Sequence, residues 1–144
     1  MRIYLDNCSY NRPFDEQLAI IVRLEAEAKL YIQELVKEKQ LDLVWSSVNE
    51  YENNDNPFPE KRERIKAWKD LATVHCTLNE TILLNAGELM EQKLRSKDAL
   101  HIASSIYAAC DYFITTDKKI LNKNIRGIAV VNPITFVEEY TNEK

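Results

Sequence analysis

Ser96-Lys97-Asp98-Ala99-Leu100-His101-Ile102-Ala103-Ser104-Ser105-Ile106, followed by Tyr112-Phe113-Ile114-Thr115-Thr116-Asp117, decides how this chain folds. The first run is apolar or small nearly all round, which is the composition of a deeply buried helix. The second is a short, β-prone apolar run that stops at an acid. Working outward, Ile3-Tyr4-Leu5 and Leu43-Val44-Trp45 are strands of the same kind, and Ile128–Val131 is another. Val74–Leu78 reads as a strand or an extended connection. Short strands alternate with helices throughout, the pattern of a parallel sheet with helices on both faces.

The helices between the strands are equally readable. From Glu16 to about Lys39, Leu18, Ile21, Val22, Leu24, Ala28, Ile32, Leu35 and Val36 recur mostly at three- and four-residue steps. That is the stripe of one long amphipathic helix. Asn11-Arg12-Pro13 before it marks a turn. Ser46-Ser47 caps a short helix through Val48, Tyr51 and Glu52. Pro59 suits the first turn of a helix through Ile65, Trp68 and Leu71, and Asn79 caps one through Ile82, Ala86 and Leu89. Ser96 is expected to cap the helix Lys97–Ala109, with a short helix at Lys118–Leu121 and a last one after Pro133. No linker, internal repeat or low-complexity stretch interrupts the series, so residues 1–144 are expected to form a single domain.

Composition narrows the function. The chain has 144 residues, 19 Lys+Arg, 23 Asp+Glu and a formal charge of −4. Proteins that coat nucleic acid by bulk charge are usually strongly basic, so the balance argues against one. Only Gly87 and Gly127 are glycines. Average usage gives about ten in this length, and neither a dinucleotide fingerprint nor a phosphate-cradling glycine loop can be written. Cys8, Cys76 and Cys110 are odd in number, widely spaced and without a C-x-x-C, so reduced thiols are expected rather than disulfides or structural zinc. Asp6 stands where a secretory signal would keep its apolar stretch. No apolar run approaches the roughly 20 residues of a bilayer span. A cytoplasmic location with no membrane partner is the expectation.

In a parallel α/β sheet, ligands bind beyond the carboxyl ends of the strands. Asp6 follows the first strand, Glu50 and Glu52 the second, and Asp117 the strand Tyr112–Thr115. Asp98 lies in the first turn of the buried helix. Each acid has a bland role as a helix cap or a solvated side chain, but together they would crowd one rim without a Lys or Arg immediately after those strands. A divalent cation relieves that repulsion, and hard oxygen ligands suit Mg²⁺ or Mn²⁺. Such a site activates water and stabilises charge on a phosphate, so metal-dependent phosphodiester hydrolysis is the leading reaction class.

The motifs themselves carry a resemblance. Ile3-Tyr4-Leu5-Asp6-Asn7-Cys8, with Asn11-Arg12-Pro13-Phe14-Asp15, resembles the opening of PIN-domain proteins. Ser46 and Glu52 have the spacing of their second motif, a serine followed six residues later by an acid. Lys97–Ala103 is similar to the third motif, Tyr112–Asp117 to the fourth, and Val131-Asn132-Pro133 to the closing strand and turn. The match runs in order along almost the whole chain. The resemblance implies a small three-layer α/β/α fold and Mg²⁺- or Mn²⁺-dependent ribonuclease activity. It also implies an RNA substrate and, as for VapC-like toxins, a VapB-like antitoxin partner or a stand-alone relative; related toxins often form homodimers. By position Asp6, Glu52, Asp98 and Asp117 take the acidic roles, with Asp6 and Asp98 as main metal ligands. Thr115 takes the role of orienting a ligand or the attacking water. Many toxin members carry a further acid about one turn after the fourth motif, where this chain has Leu121 after the basic Lys118 and Lys119. That departure bears on whether a second metal binds.

Glu50 and Glu52 point about 200° apart on a helix, so one of them faces the site, and the serine spacing selects Glu52. His101 stands three residues after Asp98, placed either to orient it or to serve as a core histidine. Trp45 and Trp68 read as core. Asn7, Asn11 and Arg12 lie beside the rim, within reach of a substrate phosphate, although Arg12 can equally pair with Asp15. The Lys61–Lys69 face reads as solvated or as an RNA guide. A catalytically silent PIN-like binding module, a haloacid-dehalogenase-like phosphatase and a plain interaction domain are the alternatives. The phosphatase chemistry wants an acid where Cys8 stands. Four of the 23 acids belong to the proposed site, and the other 19 balance the 19 bases. The acidic excess is therefore the site itself.

Overall fold

Alternation within three short strands sorts the side chains into two layers. Ile3 and Leu5 of β1 (Arg2–Leu5) point to one face of the sheet and Tyr4 to the other. Leu43 and Trp45 oppose Val44 in β2 (Asp42–Ser46), and Ile114 opposes Phe113 in β4 (Tyr112–Ile114). A period of two on strands buried on both faces is what a sheet covered on each side requires. The computed structural model describes residues 1–10 and 20–143. With β3 (Val74–Cys76) and β5 (Ala129–Val131), the strands form one sheet in the order β3-β2-β1-β4-β5, with every pairing parallel.

Seven helices flank the sheet among the described residues. α1 (Ile20–Lys37), α3 (Pro59–Leu71) and α7 (Pro133–Asn142) cover the Ile3 face with Ile32, Leu35, Ile65, Trp68 and Phe136. α4 (Glu80–Met90), α5 (Ser96–Tyr107) and α6 (Lys118–Leu121) cover the Tyr4 face with Ile82, Leu89, Ile102 and Ile120. α2 (Ser47–Asn54) leaves the end of β2 directly. Each large apolar side chain so buried is worth about 1.5–3 kcal/mol, so the two layers, and not local helix propensity, hold the fold.

The order places the site. The chain moves from β1 out to β2 and β3, then returns to β1's other side with β4 and β5. The direction reverses beside β1, and such a switch point opens a crevice at the strand C-termini. Leu5 lies opposite Ile114, and the Asp6 N–H donates to the Ile114 carbonyl at 3.0 Å. That register brings Asp6 beside Thr115.

Several helix ends follow the sequence and others differ. Ser46, Asn79 and Asn132 cap α2, α4 and α7 with their side chains, and Pro59 opens α3. Ser96, however, is the first helical residue of α5; Arg95 holds the cap position and makes no side-chain cap bond. Its guanidinium is used elsewhere, as described below. Val74–Cys76 is a strand, and the rest of the Val74–Leu78 run is not. In α1 the buried face is Ala26, Ala28, Ile32, Leu35 and Val36, whereas Ile21 and Leu24 are exposed. The apolar stripe is wider than the surface it packs on. The turn at Asn11-Arg12-Pro13 and the helix start at Glu16 and Leu18 lie outside the described residues. With glycine so scarce, three chain reversals use left-handed residues with side chains: Lys39, Lys93 and Ala109 have φ of 61°, 69° and 58°.

Candidate functional site

The cleft at the switch point is lined by Asp6, Cys8, Glu52, Arg95, Ser96, Lys97, Asp98, Thr116 and Asp117 and encloses about 630 Å³. All four acids selected from the sequence therefore open onto one space. Its size falls in the range of small-ligand sites.

Asp6 is held from the neighbouring strand. Thr115 is fully buried, and its hydroxyl donates to Asp6 Oδ2 at 2.7 Å while accepting the Asp117 N–H at 3.0 Å. One side chain thus fixes two of the acids. Burial pushes the Asp6 carboxyl above its ordinary range, against the opposing pull of His101 and the Thr115 bond. Glu52 and Asp98 charges push in the same direction as burial. A buried carboxylate among other acids is a costly arrangement without a cation.

Glu52 comes from the C-terminal half of α2, where the helix dipole disfavours an acid. His101 compensates: its Nε2 lies 2.8 Å from Glu52 Oε1. Burial raises the Glu52 carboxyl, but the His101 hydrogen bond and charge, with Lys97 and Arg95, outweigh it and hold it below the usual range. Glu50 points away, accepting from Trp45 Nε1 at 3.2 Å and pairing with Lys69 at 3.3 Å. It lines a different cleft with His75 and Cys76.

Asp98 is buried in the first turn of α5, and Asp117 caps α6 by accepting the Lys119 N–H at 2.9 Å. Arg95 bridges them, with Nε 2.9 Å from Asp98 Oδ2 and a terminal nitrogen 3.1 Å from Asp117 Oδ2. No Lys or Arg stands immediately after those strands, but a cation does reach the acids: Arg95 comes from the loop ahead of α5. It was visible as an i,i+3 Arg–Asp pair.

Of its two expected places, His101 takes that of a buried, hydrogen-bonded core histidine. It is 1% exposed and bonds Glu52 and Tyr4, with Nε2 4.0 Å from Asp6 Oδ1, and these contacts do not include Asp98. The i+3 position turned it beneath Glu52. Asn7 is corrected. It is buried, donates to the Asn49 carbonyl at 3.2 Å and accepts from Asn49 Nδ2 at 2.6 Å, so it ties α2 to the turn after β1 and does not line the cleft. Arg12 and Asn11 lie outside the described residues. Trp45 and Trp68 are core. Lys69 is paired with Glu50, and Lys61 stands over the Phe58 ring. The three cysteines are free. Cys8, half-buried, lies 3.6 Å from both Asp6 Oδ2 and Thr115 Oγ1.

The donor set fits a hard divalent ion. Carboxylates from four elements line the one cleft, and among the described residues Arg95 engages two of them. Asp6, Glu52 and His101 offer ligand atoms all within 4.8 Å of one another.

No protein-family model matches the sequence, and no curated protein matches it. Solved structures do. VapBC2 from Rickettsia felis bound to a DNA fragment from its promoter aligns at TM-score 0.62 and 14% identity, over 92% of this chain and 98% of that one. DNA-bound VapBC from Salmonella typhimurium aligns at 0.57 and 11%, over 92% and 98%. FitAB bound to an IR36 DNA fragment aligns at 0.57 and 14%, over 92% and 95%. The VapC and FitB chains of such complexes are PIN-domain proteins. Likeness at this identity concerns architecture, and it agrees with the five parallel strands, the layer order and the switch-point cleft: the chain has the PIN-like α/β/α fold.

Proposed function

We propose that this chain is a divalent-metal-dependent endoribonuclease and the toxin half of a VapB–VapC-type pair. The convergence of Asp6, Glu52, Asp98 and Asp117 on one cleft at the sheet's switch point carries the reading. In it Asp6 and Asp98 hold Mg²⁺ or Mn²⁺, with Glu52 and Asp117 completing the shell directly or through water. The bound ion supplies a more acidic water and charge stabilisation at the phosphate.

The chain's own residues set the rest. Thr115 keeps one Asp6 oxygen fixed and leaves the other toward the cleft. His101 holds Glu52 ionised at its C-terminal helix position. Arg95 offsets part of the charge of Asp98 and Asp117 in the metal-free chain, and Lys97 adds positive charge at the mouth where a phosphodiester would enter. An antitoxin partner, a cytoplasmic setting and a homodimer belong to the same proposal, supported by the VapBC and FitAB likenesses. No described helix is long and apolar enough to cross a membrane.

The Arg95 bridge also favours a second reading, a silent PIN-like module whose acids are balanced internally. Titration with Mn²⁺ separates the two. The nuclease binds the ion and cuts RNA, and Asp6→Asn or Asp98→Asn abolishes cutting while the fold persists. A silent module shows neither a cation-dependent thermal shift nor turnover.

A further inference from the structure

Below the acids runs a line of buried polar side chains that ion pairing alone does not explain. Tyr4 is fully buried on β1, stacked on Phe113 with ring centres 5.3 Å apart. Its hydroxyl is 2.5 Å from His101 Nδ1 and 2.5 Å from Ser46 Oγ. Ser46 Oγ is in turn 3.1 Å from Asn49 Oδ1. The Asn49 amide is pinned, because Oδ1 accepts the Ser46 N–H at 2.9 Å while Nδ2 donates to Leu5 O and Asn7 Oδ1. The line thus ends on a fixed acceptor.

We propose that His101 Nε2 is a nitrogen ligand of the divalent ion that Asp6 holds in this cleft, on the side where Glu52 completes the shell directly, with the Ser46–Tyr4 hydroxyls setting its tautomer. This rests on the metal reading above and adds to it a ligand that is not a carboxylate. The donor spacing suits it. Nε2 is 2.8 Å from Glu52 Oε1 and 4.0 Å from Asp6 Oδ1. Donors about 2.1 Å from a shared octahedral ion lie about 3 Å apart when adjacent and about 4 Å apart when opposite.

Two proton arrangements satisfy the line. In one, Ser46 donates to Tyr4, Tyr4 donates to Nδ1, and Nε2–H donates to Glu52. In the other, Ser46 donates to Asn49 Oδ1, Tyr4 donates to Ser46, and Nδ1–H donates to Tyr4, which leaves the Nε2 lone pair facing the cleft. Each holds three protons, so the change alters no net charge. The second is the tautomer a metal-bound imidazole needs, stabilised by a hydrogen bond at its other nitrogen. Ser46 has two acceptors available, which lets both arrangements persist in a dry site. A nitrogen among oxygens moves the ion preference from Mg²⁺ toward Mn²⁺.

Pulsed electron paramagnetic resonance of Mn²⁺ bound to the full chain tests this. The expected spectrum shows ¹⁴N coupling from a directly bound imidazole, replaced by ¹⁵N when histidine is labelled. His75, the other histidine, lies on β3 against a different cleft. His101→Gln should lose the coupling and bind Mn²⁺ about 10- to 100-fold more weakly, with a smaller loss for Mg²⁺. Tyr4→Phe should keep the coupling at reduced affinity. Bound Mn²⁺ without nitrogen coupling in the parent overturns the ligand role alone. Failure of the parent to bind Mn²⁺ overturns the metal reading and this one together. If His101→Gln does not fold, the isotope comparison on the parent still decides.

Discussion

Replacing Thr115 by valine keeps the side chain's shape and removes one hydroxyl, which separates packing from hydrogen bonding at the site. Thr115 is fully buried, and its Oγ1 serves Asp6 Oδ2 at 2.7 Å and the Asp117 N–H at 3.0 Å. A hydrogen bond to a charged group is worth about 1.5–3 kcal/mol, and an orphaned, partly buried amide adds about 1 kcal/mol. Thr115→Val should therefore cost about 2–4 kcal/mol at pH 7 without metal, or about 6–12 °C in Tm for a chain of this size. The pH dependence has a definite sign. Burial raises the Asp6 carboxyl, whereas the Thr115 bond lowers it. Below the folded-state value Asp6 is neutral and the lost bond is an ordinary one, worth about 1 kcal/mol. The deficit of the variant should thus shrink as pH falls through that value. Urea unfolding in EDTA across the acid range, with equal m-values for both proteins, measures it. A deficit under about 0.5 kcal/mol at pH 7, or one that grows toward acid pH, would refute the coupling of Thr115 to an ionised Asp6.

Other expectations follow from the same geometry. Because burial raises the Asp6 carboxyl, its contribution to stability is complete below the ordinary carboxylate range and is lost as pH rises through its folded value. Asp6→Asn should accordingly raise the Tm of the metal-free chain at pH 7 and erase the Mn²⁺-dependent shift; a lower Tm in EDTA contradicts this. Glu52→Gln should lower RNA cleavage by about 10²-fold or more, while Glu50→Gln, which touches Trp45 and Lys69 instead, leaves it unchanged. Equal losses in single-turnover assays would mean the wrong face of α2 was chosen. Arg95→Gln removes two ion pairs that compete with metal. At up to about 1 kcal/mol per exposed pair, Mn²⁺ affinity should rise about fivefold for each, read by calorimetric titration. Lys93, in the turn after α4, has φ 69°, so Lys93→Gly should stabilise the chain by about 0.5–1 kcal/mol in denaturant titrations without touching the cleft.

Much of the fold was legible because local and global signals agree. Ile3-Tyr4-Leu5, Leu43-Val44-Trp45 and Tyr112-Phe113-Ile114 are apolar on both faces of the sheet, and the caps at Ser46, Asn79 and Asn132 use side chains made for that purpose. The four acids were legible for a related reason: they recur next to strand C-termini or in the first turn of the buried helix, which a parallel sheet gathers at one end. The partners of those acids were harder to read. Arg95 joins Asp98 to Asp117, which lies 22 residues beyond Arg95, through a long side chain whose reach no local pattern reports. Tyr4 looked like one more apolar strand residue, and only the pairing of β1 with β4 and the seating of α5 turn its hydroxyl onto His101. His101 reads as a core histidine or as a partner of Asp98; it is buried as the first requires, and its bond to Glu52 on another helix is one that spacing within α5 does not report.

The central claim is that the cleft acids hold a divalent ion that cleaves RNA. The direct test mixes the purified chain with a total cellular RNA pool, with Mn²⁺ or with EDTA, beside Asp98→Asn, and maps the new ends. Discrete cleavage that needs Mn²⁺ and disappears in Asp98→Asn, while circular dichroism stays unchanged, is the predicted result. Cleavage that persists in EDTA or in the folded Asp98→Asn chain, or no cleavage at all with Mn²⁺ bound, would contradict it.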